Sequence, residues 1–270
     1  MGGIAVAVGM GLGLGGGMLS SLSELSERKK PGPGVAMLTA YDYPTARLLD
    51  EAGVDLLLVG DSLGMVVLGL PDTVGVTMAD MLHHARAVRR GANRAPVVVD
   101  LPYHSYLMPG QAVHNARRLM AAGADAVKLE GGEAMADQVR AITGAGIPFV
   151  GHIGMLPQQV REEGGYKKKG RTADGAEQLL ADARALEAAG ACAMILESVM
   201  PEVAVRITRE VGIPTIGIGS GTGTDGQVLV THDLLGSFPW FRPPFAKAEA
   251  DLAGETTRAV GAFLEAVRGF

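Results

Sequence analysis

Three phrases of this chain repeat one another: Glu51-Ala52-Gly53-Val54-Asp55, Ala121-Ala122-Gly123-Ala124-Asp125 and Ala188-Ala189-Gly190-Ala191-Cys192. Each ends an alanine-rich helical stretch on glycine and opens an apolar run. Gly144-Ala145-Gly146-Ile147-Pro148 and Val211-Gly212-Ile213-Pro214 read the same way. A helix commonly closes on a left-handed residue, a conformation that glycine adopts without a Cβ clash. The punctuation therefore imposes a helix-to-strand rhythm that few folds can use. It marks strands at residues 35–39, 56–60, 96–100, 126–130, 148–152, 193–197, 215–219 and 227–231, eight in all. Helical stretches at 44–51, 78–90, 110–122, 133–143, 173–189 and 201–210 lie between most of them, and a last one spans 247–267. Eight apolar strands alternating with helices, in 270 residues of 47% hydrophobic content, predict one α/β domain, a (β/α)8 TIM barrel. An open doubly wound sheet competes, but no Gly-x-Gly-x-x-Gly follows the first strand. The run Gly217-Ile218-Gly219-Ser220-Gly221 stands at the seventh, where barrels often place an anion site.

The barrel is expected over residues 35–270. Residues 1–34 read as a glycine-rich extension, flexible or an assembly arm, closed by the break Pro31-Gly32-Pro33-Gly34. The first 19 residues carry no charged side chain, yet a membrane span is disfavoured because their glycines weaken a helix. No basic residue precedes the apolar run, which argues against a signal peptide, and Val6 breaks a myristoylation pattern. A net charge of −5 with no basic face excludes nucleic acid as a partner. The single cysteine, Cys192, can build neither a disulfide nor a cysteine metal site, which suits a reducing cytoplasm.

Chemistry is expected at the strand ends. Asp61 follows Leu56-Leu57-Leu58-Val59-Gly60, Asp100 follows three valines, and Glu130 ends the strand that carries Lys128. His152 ends Phe149-Val150-Gly151, and Glu197 ends Ala193-Met194-Ile195-Leu196. In a barrel these carboxyl ends meet at one mouth, so groups far apart in sequence converge in space. Asp55 and Asp125, at the opposite strand ends, show that barrel turns attract acids for structural reasons as well. Strand side chains alternate, so Lys128 and Glu130 point to one side. Three carboxylates, Asp61, Asp100 and Glu130, suit a hard divalent cation such as Mg2+, which takes oxygen ligands and leaves room for a substrate's own. Lys128 would bind the carboxylate of an organic acid or offset the acid cluster, and a lone His152 fits a site or a satisfied core equally. The stretch from Arg161 to Gly175, with Lys167, Lys168, Lys169 and Arg171, is either a mobile basic lid or a solvated charge run.

At these residues the chain resembles the ketopantoate hydroxymethyltransferase family. The resemblance is carried by Leu38-Thr39-Ala40-Tyr41-Asp42-Tyr43, Val59-Gly60-Asp61-Ser62-Leu63-Gly64-Met65, Ala87-Val88-Arg89-Arg90-Gly91, Val127-Lys128-Leu129-Glu130-Gly131-Gly132, Gly151-His152-Ile153-Gly154 and Thr224-Asp225-Gly226-Gln227, in that order. It implies a (β/α)8 barrel that transfers a hydroxymethyl group from 5,10-methylenetetrahydrofolate to 3-methyl-2-oxobutanoate, giving ketopantoate for pantothenate synthesis. It also implies Mg2+ and a cytoplasmic homo-oligomer, decameric in bacterial relatives. By resemblance Asp61, Asp100 and Glu130 are metal ligands, and Asp61, Ser62, Asp100, Lys128 and His152 contact the 2-oxo acid. The resemblance also implies that Glu197 is the catalytic base. The glycine-rich N-terminus, Gly75, Thr222-Gly223 and Trp240 depart from the family pattern, none of them among the seven residues. A related Mg2+ barrel that cleaves or rearranges a keto acid without folate, and a binding or scaffold protein on the same barrel, are the competing readings.

Overall fold

The computed structural model describes residues 21–29, 32 and 34–269. Its strands are β1 (Val35–Thr39), β2 (Leu56–Val59), β3 (Val97–Asp100), β4 (Ala126–Lys128), β5 (Phe149–Gly154), β6 (Ala193–Glu197), β7 (Thr215–Ile218) and β8 (Gly226–Leu229). Each pairs in parallel with the next, and β8 returns to β1 to close the barrel. The long helices are Tyr43–Ala52, Met78–Gly91, Pro109–Ala121, Ala136–Gly144, Ala173–Ala188, Pro201–Glu210 and Leu252–Arg268. Among the described residues none joins β7 to β8. The stretch expected as one helix from Glu133 is a 3-10 turn, Glu133–Met135, followed by the α-helix from Ala136. The last helix starts at Leu252 because the Asp251 side chain caps it by accepting from Gly254 N at 3.1 Å.

The repeated glycines behave as expected with one exception. Gly53, Gly123, Gly146 and Gly190 have φ of 89°, 105°, 76° and 95°, and each turns the chain from helix toward strand. Gly212 does not adopt a positive φ: Val211 leaves the helix in an extended conformation, and Gly212 N donates instead to Glu187 Oε1 at 2.6 Å. Cys192 lies one residue ahead of β6, half-buried, with its thiol donating to Phe149 O at 3.2 Å.

Alternation along the strands splits the core in two. Leu57, Val59, Val97, Val99, Val127, Phe149, Met194 and Leu196 face the helices. Val35, Met37, Leu56, Leu58, Val98, Ala126, Val150, Ala193, Ile195, Ile216 and Val228 fill the barrel interior. Full burial of each Val, Leu or Ile is worth about 1.5–3 kcal/mol, so a one-residue slip that turned these faces outward would be prohibitive. The same period fixes what stands above the interior layer. Two residues beyond Val98, Ala126, Val150 and Ile195 come Asp100, Lys128, His152 and Glu197, so the core layer and the polar layer are consecutive rungs of one ladder.

The bottom of the barrel is sealed by part of the N-terminal extension. The 3-10 helix Leu22–Arg28 drives Leu25, fully buried, into the interior cluster. Lys29 donates to the carbonyls of Thr208 and Ile213 and pairs with Asp225 at 3.0 Å. Residues 1–20, where a flexible segment or assembly arm was expected, lie outside the described residues. No helix among the described residues is long and apolar enough to cross a membrane.

Candidate active site

A cavity of about 540 Å³ opens at the carboxyl end of the barrel, and Asp61, Ser62, Asp100, Lys128, Glu130, His152 and Glu197 all line it. Asp100 and Glu197 are the last residues of β3 and β6, while Asp61 and Glu130 stand two residues past β2 and β4. His152 is not at a strand end. β5 continues to Gly154, and His152 forms a bridge with Gly131. The residue after Glu197, Ser198, has φ 48°, a strained conformation for a non-glycine that sharply redirects the chain where the cavity begins.

The polar layer is tightly cross-braced. Lys128 Nζ lies 3.1 Å from Asp100 Oδ1 and 3.0 Å from His152 Nδ1. An ammonium can only donate, so Nδ1 is the acceptor and the imidazole proton sits on Nε2. That Nε2 is 3.3 Å from Glu197 Oε2, though out of line for a hydrogen bond. Asp100 Oδ2 accepts from Asp61 N at 3.1 Å. Tyr41 and Ser62 share a hydroxyl–hydroxyl bond of 2.8 Å.

Sequence reasoning missed Gln158, which ties the acids together. Its Nε2 donates to Asp61 Oδ2 at 2.7 Å and to Leu101 O at 3.1 Å, and its backbone N donates to Glu130 Oε2 at 3.0 Å. The Gln158 Oε1 in turn accepts from the Tyr106 hydroxyl. Nothing in the strand periodicity points to Gln158, which follows Pro157 in a 3-10 turn beyond β5.

Burial dominates the electrostatics. It pushes the Asp61 carboxyl up to about 7, helped by the neighbouring Asp100 charge and opposed by Lys128 and the Gln158 bond. Burial likewise raises Glu197 to about 7 against the pull of Lys128, and holds Glu130 well above the ordinary carboxylate range. His152 is driven well below its usual value by burial and by the Lys128 charge, so it is neutral. Burial alone would lower Lys128, but Asp100, Glu130 and Asp61 outweigh it and keep the ammonium charged.

Among the described residues no three His, Cys, Asp or Glu side chains form a ready-made metal cage. Asp61, Asp100 and Glu130 do not assemble as one because Asp61 Oδ2, Asp100 Oδ2 and Glu130 Oε2 are already engaged by the protein. Two oxygens remain. Glu130 Oε1 is buried without a hydrogen-bond partner, a costly arrangement unless a cation or substrate group meets it, while Asp100 Oδ1 has only the Lys128 ammonium at 3.1 Å. Such a donor set suits Mg2+, which is held through one or two carboxylates and fills its shell with water and substrate oxygens.

The rest of the cavity comes from loops. Tyr166, Lys167 and Lys168 reach it from the stretch after the short helix Val160–Glu163. The helix is moored by Arg161 to Asp72 at 2.7 Å, and the stretch after it by Lys169 N to Ser198 O at 2.8 Å. Phe238, Phe241, Pro243, Pro244 and Phe245 form an apolar wall that the sequence, read for strand ends, did not single out. The expected anion loop at the seventh strand is taken up by this wall. A Cβ at Gly219 would meet the Phe245 ring at 2.7 Å, and Ser220 Oγ is spent on Leu196 O and Val199 N.

The profile of the ketopantoate hydroxymethyltransferase family matches residues 20–269. The chain belongs to that family. It is 53% identical over 249 residues, 92% of this chain and 94% of the relative, to the 3-methyl-2-oxobutanoate hydroxymethyltransferase of Ignicoccus hospitalis. It is 56% identical to that of Oleidesulfovibrio alaskensis, over 87% of this chain and 82% of the relative. Among solved structures, a phosphoenolpyruvate phosphomutase from Streptomyces platensis superposes with a TM-score of 0.64 at 18% identity, covering 92% of this chain and 88% of the other. A phosphonopyruvate hydrolase complexed with oxalate and magnesium gives 0.61 at 14%, covering 80% and 81%. At such identities the structures share the family's barrel and carry no argument about its chemistry.

Proposed function

We propose that this enzyme forms 2-dehydropantoate (ketopantoate) from 3-methyl-2-oxobutanoate, taking the one-carbon unit from 5,10-methylenetetrahydrofolate in pantothenate synthesis. The observation that carries the reading is that a largely buried carboxylate of raised pKa, Glu197, lines the same cavity as the unpartnered Glu130 Oε1 and the Lys128-paired Asp100. Family membership supports the substrates.

The carbon beside the keto group must lose a proton, and Glu197 is the group placed to take it. Desolvation brings its pKa near neutrality, where it is both ionised and basic enough to act. Neutral His152, held by Lys128, fixes the floor beneath Glu197 without competing for that proton. Asp100 and Glu130, with Asp61 beside them, would hold Mg2+, and its charge would stabilise the enolate. Lys128 and the Ser62 hydroxyl orient the 2-oxo acid. The enolate carbon bonds to the folate's methylene carbon as both of that carbon's C–N bonds break; water supplies the hydroxyl, and tetrahydrofolate leaves with one proton from that water and one from the keto acid by way of Glu197. Lys167 and Lys168 at the rim are suited to the carboxylates of the folate tail.

The molecule works, on this reading, as a cytoplasmic homo-oligomer. Helix Leu252–Arg268 has no buried residue and presents Val260, Phe263 and Val267, the last two 66% exposed, which supports a second copy packing there. The decisive assay incubates 3-methyl-2-oxobutanoate and Mg2+ with and without methylenetetrahydrofolate. Ketopantoate is expected only with the folate. Its absence would overturn the assignment, and folate-independent consumption of the keto acid would favour a lyase.

A further inference from the structure

The cavity has two unlike halves. The side built from β2 to β6 carries the acids, Lys128, His152 and Glu197, and is complete for a small charged keto acid. The side built from β7 and β8 is walled by Val228, Val230, Phe238, Phe241, Pro244 and Phe245. One charged group interrupts that wall. Asp233, in the short helix Thr231–Leu235 after β8, is 6% exposed, lines the cavity, and makes no hydrogen bond through its carboxylate among the described residues.

Such a carboxylate is expensive to keep. Burial raises it to about 6, and only the charge of the exposed Arg242 opposes this. Its helix is nonetheless held firmly. Thr231 N and Oγ1 bond Thr39 Oγ1 and O at 3.0 and 2.6 Å, and Gly236, at φ 62°, turns the chain directly into the aromatic segment. A carboxylate that lines the cavity without a protein hydrogen bond, on a braced turn and set in an aromatic wall, is built for a flat ligand with N–H groups on its edge.

We propose that Asp233 is a specificity-determining residue that receives the amino-pyrimidinone edge of the one-carbon donor, an inference that rests on the donor being a reduced folate. That edge carries a ring N–H and an exocyclic amino N–H side by side, which match the two oxygens of one carboxylate. The ring faces are apolar and suit Phe238, Phe241 and Phe245. With the edge anchored after β8, the nitrogens that carry the transferred carbon point across the cavity toward Glu197 and the keto acid. The glutamate tail leaves by the rim, where Lys167 and Lys168 stand.

The test uses full-length wild type, Asp233→Asn and Asp233→Glu, with methylenetetrahydrofolate and with its analogue in which the 2-amino group is replaced by methyl. Hydrogen bonds to charged groups are worth about 1.5–3 kcal/mol, so Asp233→Asn should raise the donor KM by roughly 10- to 100-fold while kcat changes little. Wild type should reject the analogue by at least about tenfold, and Asp233→Asn should lose that discrimination. Asp233→Glu should recover part of it. Deuterium exchange into the keto acid without folate should run at the wild-type rate in both variants, a readout that a merely structural anchor for Arg242 would not spare. Equal rejection of the analogue by wild type and Asp233→Asn overturns the inference, as does a loss of donor-free exchange that tracks a fall in melting temperature. A wild type that makes no ketopantoate removes the functional reading beneath it, whereas product formation with an unchanged donor KM in Asp233→Asn sinks this inference alone.

Discussion

The two ends of this barrel carry the same residue types and use them in opposite ways. At the bottom, Asp55, Asp125 and Asp225 each precede a strand and reach across to the neighbouring one, accepting from Ala36 N, Val97 N and Thr215 N at 2.9, 2.8 and 2.9 Å. Each also meets a cation, Arg28, Arg89 or Lys29. Every such acid closes a backbone donor at a strand start and neutralises its charge within the fold. At the mouth, Glu130 spends one oxygen on the protein and leaves the other unpartnered, Asp100 has only the Lys128 ammonium on its second oxygen, and Glu197 is raised by burial rather than lowered by partners. Satisfied acids hold strands together, and unsatisfied ones await something that is not protein. The largest test of that contrast is Glu197→Gln, which keeps shape but cannot accept a proton. It should slow exchange of the substrate's C3 proton with deuterated solvent by about 10²- to 10⁴-fold with Mg2+ and keto-acid affinity retained. Wild-type exchange by NMR would move the base elsewhere.

Much of this contrast was legible in sequence because it is local. Strand period two and the Ala-Ala-Gly punctuation placed all eight strands to within a few residues, and the barrel then carries their carboxyl ends to one mouth. Asp61, Asp100, Lys128, Glu130 and Glu197 stand out because an ionisable residue at the end of an apolar run is conspicuous. His152 was placed at an end when β5 runs past it, since Ile153 and Gly154 give no local signal of continued pairing. Gly212 copied the punctuation without the conformation. Gln158, Asp233 and the Phe238–Phe245 wall were not legible, because each sits in an irregular segment whose direction is set by tertiary contacts and not by a period. Residue type alone also could not separate Asp55 or Asp125 from Asp61, which only the end of the barrel distinguishes.

The metal-facing acids give the next effects. Asp100→Asn removes the charge of a candidate ligand that only Lys128 meets through Oδ1, so calorimetry should show Mg2+ affinity falling by more than the ~10- to 100-fold typical of losing an outer partner. The variant should also melt below wild type, because removing one partner of the buried pair leaves the Lys128 ammonium with less compensation. Gln158→Met keeps the volume and the backbone bond to Glu130 but drops the donor to Asp61. It should cost about 10- to 100-fold in Mg2+ affinity, as outer partners do. Unchanged affinity in both variants would remove the ligand assignment.

The bottom acids should respond the other way. Asp225 Oδ2 accepts from Thr215 N and Thr215 Oγ1 and pairs with Lys29. Asp225→Asn should destabilise the fold by about 1–3 kcal/mol in urea titration while the Mg2+ affinity of the folded fraction stays at the wild-type value. A loss of metal affinity without loss of stability would erase the distinction between the two ends.

The smallest effect, and the one that reads both ends in a single experiment, is pH. Glu197 is raised by burial to about 7, and only its ionised form can take a proton. The donor-free exchange rate should therefore be level above about pH 8 and fall on acidification through 7, reaching about a tenth of its plateau one unit below. The bottom carries the opposite sign. Asp50 is buried, which alone would raise it, but backbone donors from Ala95 and Arg94 and the Arg94 charge hold it below its ordinary value. A depressed carboxyl contributes stability that is present above its unfolded pKa and is lost only as pH falls through the lower folded value, on the acid side of about 4. Circular dichroism should then stay native from pH 8 to 5 while exchange falls and recovers on returning to pH 8. Activity and ellipticity lost together over that window would mean that acids at the mouth hold the barrel closed, and that the division between its two ends is wrong.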